Sequence, residues 1–310
     1  MSLTPLLQTT RPEEIISSLT PICLEHKPLF DAYFRRYPGT LNMFSFGSMY
    51  LWGEERHHAF TEKEDHLIVS LQREGGNRQW YAPIGPEPAR IITEVLPSSA
   101  GFSWSYINEQ LAAALPASLP LTWNRDKCDY IYSVPELREL LGKKFSNKRN
   151  HIRHFYKLAE ASNQTVRIIP IDTSTTDDCL RVYEEWAARK KLIMSEKDYH
   201  EVMEDRHAFQ RAMTHFDALH LRGIGIVIND RLEAFAIGEE LNTTTVGLWF
   251  SKALDTHHEL LTLTIHEFIK SLQPQYLLLN RAIDGGLPGL RTSKEGWHPV
   301  ELAKNYSSAF

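Results

Sequence analysis

Three groups of residues carry the types and spacing that chemistry needs. The first is Leu141 to Phe155, LGKKFSNKRNHIRHF, where Lys143, Lys144, Lys148, Arg149 and Arg153 crowd one short segment of a chain whose net charge is -5. Cations at that density attract anions such as phosphates and carboxylates. The second is Gly238-Glu239-Glu240 at a strand end. On the period of two, Phe235, Ile237 and Glu239 share a face, so Glu239 continues an apolar row and could point inward; a solvated edge carboxylate is the other reading. The third runs from Leu279 to Pro299. There Asp284 leaves a strand into a Gly285-Gly286 turn, and Pro288 opens a short helix bearing Arg291 and Lys294. A carboxylate and two cations could converge there to hold a charged substrate or a developing oxyanion; Asp-Gly-Gly is equally an ordinary turn.

Each group depends on the element that carries it. Ser146 is expected to cap a helix running to about Ala161. On its wheel Phe145, Ile152, Phe155, Tyr156 and Ala159 fall in one arc, with Lys148 and Arg149 in or beside it. Cations beside the apolar stripe suit a cleft-facing role, whereas snorkelling would lay their stems on the core and leave their charges in water. Just before it, Ser133 and Glu136 form a capping-box pattern and Gly142 ends a short helix. The domain junction is placed here, giving domains 1–130 and 131–310.

The second domain alternates regularly. Val166–Ile171 reads as a strand, and Thr176–Lys190 and Tyr199–Phe216 as helices. Leu219–Ile228 and Arg231–Glu240 form a hairpin across Asn229-Asp230, and Thr244–Lys252 extends the meander. His258–Leu272 is a helix, Tyr276–Ala282 a strand, Pro288–Lys294 a short helix and Val300–Tyr306 a last strand. In the first domain the expected elements are helices at Pro12–Leu19, Leu24–Tyr37, Ala89–Leu96 and Trp104–Leu115, a hairpin of His66–Gln72 with Gln79–Ile84, and a strand at Leu119–Trp123. This is an α+β pattern, and by fold-level analogy the order in the second domain resembles that of an acyl-CoA N-acyltransferase (GNAT) fold.

Composition narrows the function. Hydrophobic content of 42% with 24% charged residues is that of a globular protein, and the net acidity argues against one that coats nucleic acid. Cys23, Cys128 and Cys179 form no CxxC pair, which points to a reducing compartment. No signal-peptide pattern and no apolar run of roughly 18 residues stands out, so a cytoplasmic protein without a transmembrane segment is expected. The histidines lack HExxH spacing, so no metal is expected. No GxSxG elbow, Walker loop or GxGxxG is present, and no cofactor is expected. The place where acetyl-CoA-binding enzymes carry a glycine-rich pyrophosphate loop, Ser251 to His258, has no glycine.

GKKFSNKRNHIRHF, the Gly238-Glu239-Glu240 strand end and the run from Asp284-Gly285 through Gly289-Leu290-Arg291 to His298-Pro299, followed by Lys304-Asn305-Tyr306, together resemble the DUF2156 family. This is the family of the soluble C-terminal domain of phosphatidylglycerol lysyltransferase. The resemblance runs in order over roughly residues 20 to 306. It implies two tandem acyltransferase-like domains, each a mostly antiparallel sheet flanked by helices. It also implies transfer of an aminoacyl group from a charged tRNA to an amine or hydroxyl, with a small molecule or lipid headgroup as acceptor. Lys143, Lys144, Lys148 and Arg149, with Asn150 and His151 of the same run, would then hold phosphates of the donor. Asp284 and Glu239 would bind ammonium groups, and Arg291, Lys294 or Lys252 would neutralise the oxyanion. The family often has a second carboxylate where this chain reads Arg281-Ala282-Ile283-Asp284-Gly285. Two alternatives stand beside this expectation: an N-acyltransferase using an acyl-CoA or another phosphate-bearing donor, and a non-catalytic ligand-binding module of the same fold.

Overall fold

Alternating apolar positions dominate the chain from Arg222 to Ala253, and there the computed structural model has its longest strands. The structure describes residues 10–308, apart from the side chains of Lys197 and Asp198. Residues 1–9, on which the leader-peptide expectation partly rests, fall outside that range. The chain divides into two compact units, Met1–Asp129 with Ala303–Phe310, and Tyr130–Leu302.

In the first unit, helices α1 (Pro12–Ile16), α2 (Lys27–Arg36), α3 (Phe46–Leu51), α4 (Gly53–Arg56), α5 (Pro88–Arg90) and α6 (Glu109–Ala114) accompany strands β1 (Thr20–Pro21), β2 (Ala59–Lys63), β3 (His66–Leu71), β4 (Gln79–Tyr81), β5 (Trp104–Ser105) and β6 (Leu121–Trp123). The first five strands form one sheet in sequence order. The expected hairpin is present, with Ser70 opposite Trp80. The helix expected over Trp104–Leu115 is shorter. Trp104 is fully buried and pairs with Trp80 as part of β5, and its ring stacks on Phe102 at 5.7 Å. The helix starts only after Asn108, whose side chain accepts from the Leu111 amide at 2.8 Å. Bulky aromatics at alternate positions favour the strand over the helix.

The second unit is a mixed sheet with helices on both faces. Its strands are β7 (Asp129–Ser133), β8 (Val166–Pro170), β9 (Arg222–Ile228), β10 (Arg231–Asn242), β11 (Thr245–Ala253), β12 (Leu278–Asn280) and β13 (Glu301–Ala303). Its helices are α7 (Val134–Glu139), α8 (Ser146–Ala161), α9 (Thr176–Lys191), α10 (Glu196–Thr214), α11 (Leu260–Ser271) and α12 (Pro288–Glu295). The order across the sheet is β13-β7-β12-β11-β10-β9-β8. Neighbours from β8 to β11, and β12 with β7, are antiparallel; β11 and β12 are parallel.

Strand parity assigns the faces. Tyr130, Tyr132, Ile224, Ile226, Ala234, Ala236, Val246 and Leu279 share a core with Phe155 of α8 and Leu263 and Phe268 of α11. The alternate positions look the other way: Phe209 of α10 stacks on Phe235 at 4.9 Å and meets Tyr183 of α9 at 5.0 Å. The parallel ladder is short. It holds only Thr245 with Leu278, Val246 with Leu279 and Gly247 with Asn280, so β11 runs on past the end of its partner.

The start of α8 corrects one expectation. Ser146 lies inside the helix, Phe145 occupies the cap position, and no side chain caps the start. A tight turn over Lys143–Phe145 leads in after Gly142, whose φ is +82°. Phe145, with 1% of its surface exposed, fixes the entry through hydrophobic burial rather than through a hydroxyl.

Candidate functional site

The C-terminal end of β12 is where charged groups gather. Asn280 closes the strand and its side-chain oxygen accepts from the Ala282 amide at 2.7 Å. Ala282, Gly285 and Gly286 then take positive φ values of 55°, 60° and 79°, which turn the chain sharply. Asp284 ends up with no exposed surface. Its Oδ2 accepts from the Tyr130 hydroxyl at 2.6 Å and from Arg291 Nε at 2.8 Å. Its Oδ1 accepts from the Gly286 amide at 2.8 Å and from Arg291 Nη2 at 3.0 Å. Burial alone would raise the carboxyl's pKa; the Arg291, Tyr130 and Gly286 bonds outweigh it and hold the group well below the usual carboxylate range.

Lys294 sits one helical turn beyond Arg291 on α12 and is 5% exposed. Its ammonium donates to three successive carbonyls, those of Arg281, Ala282 and Ile283. An ammonium has three protons, so its donors are committed to holding the loop. The two cations of α12 therefore divide the work: Arg291 grips the carboxylate and Lys294 grips the backbone.

Arg281 follows Asn280 on the α8 side of the sheet. It is 7% exposed and lies over the rings of Tyr132 and Trp297, at 5.6 and 5.7 Å. Its Nη1 is buried with no hydrogen-bond partner among the described residues. Lys148 of α8 reaches the same Trp297 ring at 4.6 Å. Burial, with Arg281 nearby, pushes the Lys148 amine down to about 8.

The other cations of the basic run are spread differently. The Arg149 guanidinium donates to the carbonyls of Leu140 and Gly142, the latter at 2.8 Å. Lys144 pairs with Glu136 at 2.7 Å and covers the Phe145 ring. Lys143 and Asn150 are exposed. His151 is half-buried, 5.9 Å from the His258 ring, and burial and Lys148 together lower its pKa.

Glu239 and Lys252 belong to the opposite face. Glu239 is 6% exposed, opposes Gly247 and accepts from Trp249 Nε1 at 3.1 Å. Lys252 opposes Phe235, pairs with Asp205 of α10 at 3.0 Å and lies 4.1 Å from the Trp186 ring. The structure thus brings Lys148, Asp284, Arg291 and Lys294 to one side of the sheet. Glu239 and Lys252 stay on the other, with the parting of β11 from β12 between the two sets.

Sequence reasoning missed Arg281 as a site residue. Parity carried the signal: Leu279 faces the α8 core, so residue 281 returns to that face. It also missed a cleft of about 700 Å³ within the first unit, lined among others by Arg36, Tyr37, Phe44, Arg90, Tyr106 and Asn108. The start of α11, next to the glycine-free segment, carries the buried carboxylate of Glu259, which accepts from His154 Nδ1 at 2.7 Å. Among the described residues no cluster of three His, Cys, Asp or Glu is arranged for a metal ion, and no helix is long and apolar enough to cross a membrane.

A mixed sheet with a buried carboxylate–guanidinium pair beyond its central parallel strand defines an α+β protein with a polar site at a strand end. The family model described as phosphatidylglycerol lysyltransferase, C-terminal, matches residues 34–309, and the chain belongs to that family. Among solved structures, a conserved protein of unknown function from Bacteroides thetaiotaomicron is 24% identical, with 94% of this chain and 98% of that one covered and a TM-score of 0.85. The C-terminal DUF2156 domain of a putative lysylphosphatidylglycerol synthetase from Agrobacterium fabrum is 14% identical, with 83% and 86% covered and a TM-score of 0.53. Both likenesses concern the fold, and the family's description is that of the C-terminal part of a lysyltransferase. No curated protein matches the sequence.

Proposed function

We propose that the chain is an aminoacyltransferase built as two acyltransferase-like domains, moving an aminoacyl group from the 3′-ester of a charged tRNA to an amine or hydroxyl. One observation carries this reading: the Asp284–Arg291 pair lies beyond the end of β12, in the loop that follows Arg281, whose guanidinium shares the Trp297 ring with Lys148, and β12 parts from β11 after three residue pairs. Parting parallel strands expose backbone groups that can line a donor laid across the sheet. On the α8 side, Lys148, with Lys143, Asn150 and His151 around it, would take phosphates of the acceptor end. On the far side Glu239 would take the α-ammonium of the aminoacyl group.

In this mechanism Asp284 is a positioning residue. Its oxygens already accept four hydrogen bonds, so it aims Arg291 at the oxyanion formed on attack rather than binding an ammonium itself. Lys294 would keep the loop in shape, and Lys252 would act only through Asp205 and the far face. Positioning a reactive ester supplies much of the acceleration without a dedicated base. The family's name offers a phosphatidylglycerol headgroup as acceptor and a lysyl group as cargo. The stretch Arg281 to Gly285 has one carboxylate where the family often has a second, so we assign an aminoacyl group without a side-chain cation.

An acyl-CoA donor is the weaker reading. The segment 251–258 lacks glycine, and the Glu259 carboxylate sits at the α11 start where a pyrophosphate would bind. The test is transfer of label from a mixture of charged tRNAs to phosphatidylglycerol vesicles or to small amines. Wild-type protein should give product, and Asp284→Asn and Arg291→Met should each lower the rate by about 10²-fold or more. Equal rates in both variants would refute the roles given to these residues, and tight calorimetric binding of CoA would reverse the choice of donor.

A further inference from the structure

Arg281 presents an electrostatic imbalance. Moving a guanidinium out of water is costly unless a partner compensates it, and buried Arg is nearly always paired. Here burial lowers the pKa, and only Tyr132 opposes that effect; no carboxylate contributes. The nearby Asp284 is held by Arg291, Tyr130 and the Gly286 amide. Among the described residues Nη1 of Arg281 has no hydrogen-bond partner.

Two further observations point to the same spot. Lys148 shares the Trp297 ring with Arg281, and the guanidinium disfavours the charge on the amine. Lys148 is also in the first turn of α8, a 16-residue helix whose start has no acidic residue and no side-chain cap. A helix start is the positive end of the dipole, where a cation is unfavourable by itself and an anion is favourable. Two cations and a helix start converge, and what balances them is a multiply charged oxyanion.

We infer that Arg281 and Lys148, meeting at the Trp297 ring at the start of α8, form a subsite for a phosphate group. Phosphate fits better than carboxylate because it brings more charge and three or more acceptor oxygens for donors arriving from different directions. The anion enters past Lys148, which is half-exposed, and reaches the deeper guanidinium. Trp297, 1% exposed, is the floor that sets the spacing of the two cations and does not itself stack on a base. Assigning this phosphate to the donor rests on the transfer reading above; the subsite does not, and binding can be measured without turnover.

Calorimetric titration of the full chain at low ionic strength, with inorganic phosphate, adenosine 5′-monophosphate, sn-glycerol 3-phosphate and acetate, tests it. Wild type should bind the three phosphates more tightly than acetate. Arg281→Met and Lys148→Met should each weaken phosphate roughly tenfold to a hundredfold, and Arg281→Lys should retain part of the affinity. Tighter binding of the adenosine compound points to a nucleic-acid source and tighter binding of glycerol phosphate to a lipid headgroup; either supports the subsite. Thermal melting separates a binding role from a structural one. Without ligand, Arg281→Met should melt at or above the wild-type temperature, and the rise that phosphate gives the wild type should disappear. Unchanged affinity in both Met variants, acetate binding as tight as phosphate, or no phosphate binding by wild type would each overturn the inference. Should Arg281→Met fail to fold, Lys148→Met decides, since the partly exposed lysine carries no hydrogen bond of the core.

Discussion

Asp284 and Arg281 lie three residues apart at one strand end, and the same loop treats their charges in opposite ways. Asp284 is compensated by Arg291, Tyr130 and an amide, which gives it a pH signature. Its pKa is lowered on folding, so the stability it contributes is present above the unfolded value of about 3.9 and is lost as the pH falls toward the folded value. Asp284→Asn should therefore flatten the acid limb of a stability–pH curve below about pH 4, as followed by urea midpoints at successive pH values. An acid limb identical to wild type would contradict this assignment. The sequence placed Asp284, Arg291 and Lys294 where they could converge, with an ordinary Asp-Gly-Gly turn as the equal alternative. It did not reveal which cation takes the carboxylate. That choice depends on the rotation of α12 by a few residues, which letters alone do not determine.

Among the elements, the meander of β9, β10 and β11 was readable because apolar alternation and the Asn229-Asp230 turn agree. Short aromatic segments were not: Trp104 lies in a strand where a helix was expected to begin, since Trp80, the partner of both Trp104 and Phe102, is distant in sequence. Nor could the letters reveal that Glu239 and Lys252 face away from Asp284, because that needs the register of three strands. The close contact of β10 with β11 yields a prediction. A Cβ on Gly238 would stand 2.2 Å from the Gly247 carbonyl oxygen and 2.9 Å from the Phe268 ring. Gly238→Ala should cost roughly 1–3 kcal/mol of stability, read as a shift in the denaturant midpoint of the chain. No shift would mean that the strands separate more easily than their packing implies.

For the molecule as a whole, an acidic chain of net charge -5 gathers positive charge at the start of α8, whose first turn has no acidic residue. The family match over residues 34–309 runs through both compact units, whereas the strongest lettered signal lay in one segment of fifteen residues. The depressed amine of Lys148 has a chemical consequence as well. With its pKa lowered to about 8, a far larger share of this side chain is an uncharged nucleophile at pH 8 than of an ordinary lysine. A slow amine-directed acylating reagent should therefore modify Lys148 before the other lysines, as peptide mapping by mass would reveal, and phosphate should shield it. Uniform modification along the chain would contradict this. Such selectivity would give the protein a built-in reporter, in which occupancy of the anion subsite is read from the reactivity of one amine.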